Sequence, residues 1–212
     1  MRRAEGHRLH RPAGPAIRNQ AWFARHNMLA LRLLSAPGAG RTALIARTIQ
    51  ALAPALPCAA LLAEPASAGD GDSIRAAGGA LLTLAPGSPL SARNLFPGLE
   101  RAAPPAGSLL LIEGQGDGGE SDLGESARVA LLAVTDGDDR PLKQPALFRS
   151  ARLMVLTKID LLPHVDFNAE RAITRARSLN PRIEVLRLSV RSGAGFAAWL
   201  DWLSDQAPSA PA

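Results

Sequence analysis

Three short segments of this 212-residue chain carry residue types suited to phosphate and purine chemistry. The first is Ser35-Ala36-Pro37-Gly38-Ala39-Gly40-Arg41-Thr42, between the apolar run Met28–Leu34 and the amphipathic stretch Thr42–Leu52. Gly38 and Gly40 allow a tight turn that aims backbone N–H groups inward, and a helix start adds partial positive charge. Pro37, Gly38, Ala39, Gly40, Arg41 and Thr42 therefore read as an anion cradle, with the Thr42 hydroxyl placed for a magnesium ion. The segment approximates the phosphate-loop pattern G-x-x-x-x-G-K-[ST], with Ser35 at the first glycine and Arg41 at the lysine. Lysine reaches the β- and γ-phosphates as a compact charge, whereas arginine carries a wide planar fork, so the exchange is not conservative. Taken alone, the segment also fits an ordinary glycine-rich strand-to-helix turn.

The second segment, Leu156-Thr157-Lys158-Ile159-Asp160, follows another apolar run. A carboxylate at Asp160 can accept both N1–H and the exocyclic amine of guanine. Adenine presents an acceptor where guanine presents that donor, and a mismatch leaves a buried polar group unpaired, at a cost of about 1–3 kcal/mol. The stem of Lys158 can lie over a base plane. Asn is the commoner first residue of this pattern, so Thr157 loosens the match. The third segment, Ser189-Val190-Arg191-Ser192-Gly193, follows the next strand and can offer backbone N–H groups from Ser189 and Val190 to the guanine carbonyl. Each segment is weak alone; their order and strand context are specific together.

Positioning these segments requires strands that end where they begin. Apolar runs at Met28–Leu34, Cys58–Ala63, Ala80–Leu84, Ser108–Ile112, Arg128–Val134, Leu153–Leu156 and Glu184–Leu188 read as strands. Helical patterns separate them: Ala16–Arg25 with Ile17, Ala21, Trp22 and Ala24 inward, Thr42–Leu52, Asn168–Ser178 and Gly195–Ser204. Near-continuous apolar strands alternating with helices predict an α/β fold of the P-loop NTPase type. Its mostly parallel sheet is covered by helices on both faces, and ligands sit beyond the carboxyl ends of the strands. We expect one domain over 16–204, a disordered basic lead-in over 1–15 and a flexible tail over 205–212.

Bulk composition narrows the function. At 47% hydrophobic but only 4% aromatic residues, the core must be aliphatic. No apolar run reaches the roughly 18–20 residues of a membrane span, and the basic start lacks the apolar stretch of a signal peptide. The reading is cytoplasmic, with no membrane partner. The single cysteine, Cys58, excludes an internal disulfide framework and reads as a core residue. A net charge of +5 invites nucleic-acid binding. The arginines, however, are scattered, and Lys143 and Lys158 are the only lysines, so no nucleic-acid partner is expected.

Against this background the chain resembles the HypB family of hydrogenase nickel-incorporation GTPases over about residues 16–204. The resemblance rests on Asn19-Gln-Ala-Trp22-Phe23-Ala, Ser35–Gly40, Asp122-Leu-Gly-Glu125, Val134–Lys143, Thr157–Phe167, Asn180–Val185 and the Trp199/Trp202 helix. It implies GTP and GDP as ligands with Mg2+, a nucleotide-dependent homodimer, and partnership with a HypA-like metallochaperone and a [NiFe]-hydrogenase large-subunit precursor. It also implies magnesium ligation by Thr42, Glu64 and Glu113, and an E-x-x-G segment at Glu113 and Gly116 that faces the γ-phosphate. Arg41, Glu113 and Gly116 are thereby the candidate catalytic residues. The family's Cys-His metal motif falls at Leu90 and Ser91, and its further cysteine at Glu120. Neither leucine nor serine suits nickel or zinc, so the transition-metal site is expected to be lost. Two readings follow: a slow GTP hydrolase of nickel insertion, or a degenerate paralogue that binds nucleotide weakly and serves as a scaffold or dimer partner.

Overall fold

Strands with apolar residues on both faces have no side to offer water, so helices must cover them twice. The computed structural model describes residues 14–62, 68–115 and 122–207, with the side chains of Ala68 and Gln115 left aside. Most of the expected lead-in, the last five residues, and Glu64, Gly116 and Glu120 lie outside the described residues.

The elements run α1 (Pro15–Arg25), β1 (Leu29–Ser35), α2 (Arg41–Leu52), β2 (Cys58–Leu62), α3 (Ala68–Ala76), β3 (Ala80–Leu82), α4 (Ala92–Ala102) and β4 (Leu109–Gln115). They continue through β5 (Ala127–Ala133), α5 (Arg140–Lys143), α6 (Pro145–Arg149), β6 (Leu153–Thr157), a 3-10 helix (Ile159–His164), α7 (Ala169–Leu179), β7 (Glu184–Arg187) and α8 (Phe196–Gln206). The seven strands form one sheet in the order β3-β2-β4-β1-β5-β6-β7, every pairing parallel. This is the α/β P-loop NTPase architecture that the sequence predicts.

Side-chain alternation along β1 assigns the two faces. Leu29, Leu31 and Leu33 join Leu44, Ile45 and Ile49 of α2 and Trp199 and Trp202 of α8. On the opposite face Ala30 packs with Phe23, Leu95 and Leu99 of α1 and α4, and Leu34 packs with Phe148 and Ile173 of α6 and α7. Arg32, fully buried, sits between Ala30 and Leu34 on that second face. Its Nη1 lies 3.9 Å from Glu125 Oε1, which also accepts from Arg128 Nε at 2.5 Å. A buried guanidinium is tolerable only with such a counter-charge.

The inward face of α1 differs from the sequence expectation. Asn19 and Phe23 are buried, while Ile17 is 58% exposed and Ala21 and Ala24 face solvent. Asn19 sets this orientation: its Nδ2 donates to the carbonyls of Ala92 (2.9 Å) and Leu123 (2.8 Å). Gly124, at φ +86°, lets the helix approach; a Cβ there would lie 2.3 Å from the Ala16 carbonyl oxygen. Two buried donor–acceptor matches and this close contact outweigh one exposed isoleucine. Other boundaries shift modestly: α1 begins at Pro15, β3 ends at Leu82, and α8 reaches Gln206, inside the expected tail. Among the described residues no helix is long and apolar enough to cross a membrane.

Candidate functional site

The carboxyl ends of β1, β4, β6 and β7 converge on one rim of the sheet, and the functional segments follow them. After β1 the chain turns through Gly38 (φ +80°) and Gly40 (φ +90°), backbone that only glycine adopts freely, and enters α2. The first N–H groups of α2 point back into this turn, so residues 37–42 have the backbone arrangement that suits an anion.

Register fixes what faces the cradle. Glu113 near the end of β4 pairs with Leu33 of β1 and Leu62 of β2, which brings its carboxylate beside the start of α2. Thr42 Oγ1 donates to Glu113 Oε2 at 3.2 Å, and Arg41 Nε lies 3.1 Å from Glu113 Oε1. Arg41 Nη1 also donates to the carbonyls of Ser35 and Gly114. Burial pushes the Glu113 carboxyl up, and Arg41 and Thr42 oppose that rise. Thr42 and Glu113 thus bring hard oxygen donors together, the donor type a magnesium ion prefers. Arg41, expected to reach for phosphate, is instead turned onto the strand ends.

Next to the cradle, a cavity of about 350 Å³ is lined by Ala39, Gly40 and Ala43, by Thr157, Lys158, Asp160 and Leu161, and by Ser189, Val190 and Arg191. The three segments recognised in the sequence therefore meet in one space, although 113 or more residues separate the first from the other two. The buried Thr157 hydroxyl donates to the Ala39 carbonyl at 2.8 Å, fastening the end of β6 to the cradle. A short β-branched side chain makes this link at the position where asparagine is the commoner residue. Lys158 adopts φ +59°, a rare left-handed conformation outside glycine, and starts the 3-10 helix that carries Asp160.

Ser189 plays a different part from the one expected. Its N–H donates to Ala194, and its Oγ accepts from Ser192 N at 3.1 Å, so it shapes the loop rather than offering its own N–H to a ligand. Gly195 (φ +71°) then caps α8 in a space where a Cβ would meet the Arg187 carbonyl. From α8, Trp199 Nε1 donates to Thr48 Oγ1 of α2 at 2.9 Å. Helix α2 is thus held from the cradle side and from the base-loop side. Arg191, Ala43 and Leu161 complete the cavity lining. Arg191 had a signal in its place within the third segment, whereas Ala43 and Leu161 had none, because small and apolar residues resemble core.

Leu90 packs against the α1–α4 cluster, and Ser91 caps α4 by accepting from Asn94 N at 3.2 Å. Among the described residues no three His, Cys, Asp or Glu side chains group to hold a metal ion. Cys58 is buried in β2, its thiol pushed up to about 11 by burial, which disfavours the reactive thiolate. Further along the rim Asp138 accepts from Arg171 and Arg175 of α7, while Lys143 pairs with Asp139 at 2.8 Å.

No protein-family model matches the chain. It is 39% identical over 196 residues to the hydrogenase maturation factor HypB of Escherichia coli, covering 90% of this chain and 68% of that one. Across the first such curated relatives it spans about two thirds of their length, 65% in the Azotobacter vinelandii protein. The structure of HypB from Archaeoglobus fulgidus superposes with a TM-score of 0.83 at 30% identity, covering 92% of this chain and 97% of that one. HypB from Helicobacter pylori, solved in complex with nickel, superposes with a TM-score of 0.78 over 93% and 98% of the two chains. At 19% identity that likeness speaks to the fold.

Proposed function

The chain belongs to the HypB family of hydrogenase maturation factors, and from that premise we propose that it is a guanine-nucleotide-binding GTPase that assists nickel insertion into [NiFe]-hydrogenase. The observation that carries this reading is the shared cavity. An anion cradle and an aspartate suited to guanine's N1–H and amine border the same 350 Å³ space, joined through Thr157 and Ala39. In this reading Asp160 selects guanine, the Lys158 stem covers the base, and the N–H groups around Val190 face the guanine carbonyl. The turn at Gly38–Gly40 and the start of α2 hold the phosphates.

Phosphoryl transfer demands positioning and charge stabilisation more than covalent chemistry. Thr42 and Glu113 would hold magnesium, with Glu64 a further candidate, and the ion supplies charge neutralisation at the β- and γ-phosphate oxygens when bound. Arg41 adds a second positive group once it faces the nucleotide, and the segment from Glu113 to Gly116 would orient the attacking water. With Arg41 in place of lysine, slow turnover is the expected rate. Nickel is cargo in this scheme. With Leu90 and Ser91 where the family has ligands, the chain hands nickel on through partners rather than storing it: a HypA-like metallochaperone, the hydrogenase large-subunit precursor and a second copy of itself bound with nucleotide. The alternative of a degenerate paralogue serving only as a scaffold is the weaker reading, because the base cavity and the oxygen pair at Thr42 and Glu113 are both formed.

The reading is tested by competition of GTP, GDP and ATP for the purified chain. GTP and GDP should bind in the micromolar range, about −8 kcal/mol, with ATP about a hundredfold weaker. Asp160→Asn should erase that preference. Equal competition by ATP in the unaltered protein defeats the assignment.

A further inference from the structure

The phosphate-loop cation is engaged by acceptors of the protein itself at the edge of the cradle. Arg41 places Nε 3.1 Å from Glu113 Oε1 and donates from Nη1 to the carbonyls of Ser35 and Gly114, with only 14% of its side chain exposed. Glu113's other oxygen accepts from Thr42 at 3.2 Å. One guanidinium thus ties together the ends of β1 and β4, and the carboxylate suited to magnesium has both oxygens engaged. A lysine differs here, since its compact ammonium on a shorter arm lacks the planar fork that in Arg41 meets a carboxylate and two carbonyls. Bonds of this kind are charge-assisted and partly shielded from water, so releasing them resists entry of a ligand.

We propose that Arg41 is a latch: its bonds to Glu113 and Gly114 hold the guanidinium, and nucleotide binds only after it swings from these acceptors to phosphate oxygens. Magnesium favours release by competing for Glu113 and Thr42. Nucleotide and ion then cooperate more strongly than in a loop whose cation already faces the phosphate. This rests on the guanine-nucleotide reading of the site and goes beyond it, because it predicts an order of events.

Stopped-flow mixing of the full chain with N-methylanthraniloyl-GDP, in EDTA and in magnesium, tests it. In EDTA the unaltered protein should bind with a rate that saturates as nucleotide concentration rises, since unlatching comes first. Arg41→Lys and Glu113→Gln should bind about tenfold faster with a linear dependence, the equivalent of one charge-assisted contact removed. Magnesium should accelerate the unaltered protein and leave Arg41→Lys little changed. Linear and equal rates in the unaltered protein and both variants overturn the latch alone. Absence of guanine-nucleotide binding in all three, each folded by circular dichroism, overturns the site reading and the latch with it. If Glu113→Gln does not fold, Arg41→Lys and Arg41→Gln decide the matter: rates unchanged from the unaltered protein refute the latch.

Discussion

The Thr157 hydroxyl and the Ala39 carbonyl meet at 2.8 Å across 118 positions of sequence. Both groups are buried, so neither finds an easy substitute partner. Replacing Thr157 with Val keeps the shape and deletes the donor, leaving the Ala39 carbonyl unpaired. The expected cost is about 1–2 kcal/mol in urea unfolding. GDP affinity should also fall by roughly tenfold, because the base segment and the cradle lose their link. Thr157→Ser should restore most of both. Unchanged GDP affinity in Thr157→Val would show that the link is structural only. Which residue occupies position 157 was legible in the sequence, but its partner was not, since a hydroxyl's partner depends on a distance that only folding creates.

At the scale of elements, the turn after β5 is tied to α7 through Asp138. Its carboxyl is held down to about 2, chiefly by the hydrogen bond from Arg171; burial opposes this, and the Asn168 N–H and Arg175 add to it. A depressed folded-state value stabilises the protein fully above the ordinary carboxylate value of 3.8 and loses that contribution as pH falls from there through about 2. Acid unfolding followed by circular dichroism should therefore be steep between those limits. Asp138→Asn should lower stability at neutral pH and flatten that part of the curve. An identical acid slope in the two proteins refutes the role of this carboxylate. The helices themselves were unevenly legible. α2 and α7 declare themselves by periodicity, whereas α4 carries Pro97 and Gly98 in its interior. Gly98 is there because the helix presses on β3, where a Cβ would lie 3.3 Å from Leu82 and from the Thr83 carbonyl. Such a packing contact overrides local propensity.

At the scale of the molecule, the chain keeps the family's fold while Leu90 and Ser91 serve packing and capping. A calorimetric titration of the whole chain with nickel or zinc at neutral pH should give no site tighter than about micromolar. A submicromolar site would defeat the proposal that positions 90, 91 and 120 no longer bind a transition metal.

The sequence by itself determined the strand set, the parallel architecture and the three segments at the strand ends, because apolar periodicity and glycine placement are local properties. Only the tertiary structure decided which way Arg41 points, that Ser189 spends its N–H on Ala194, and that Asn19 rather than Ile17 turns inward. Each of these is a choice among competing hydrogen-bond partners distant in sequence. Such a choice is settled by which acceptors the sheet's register and the helix packing bring within about 3 Å.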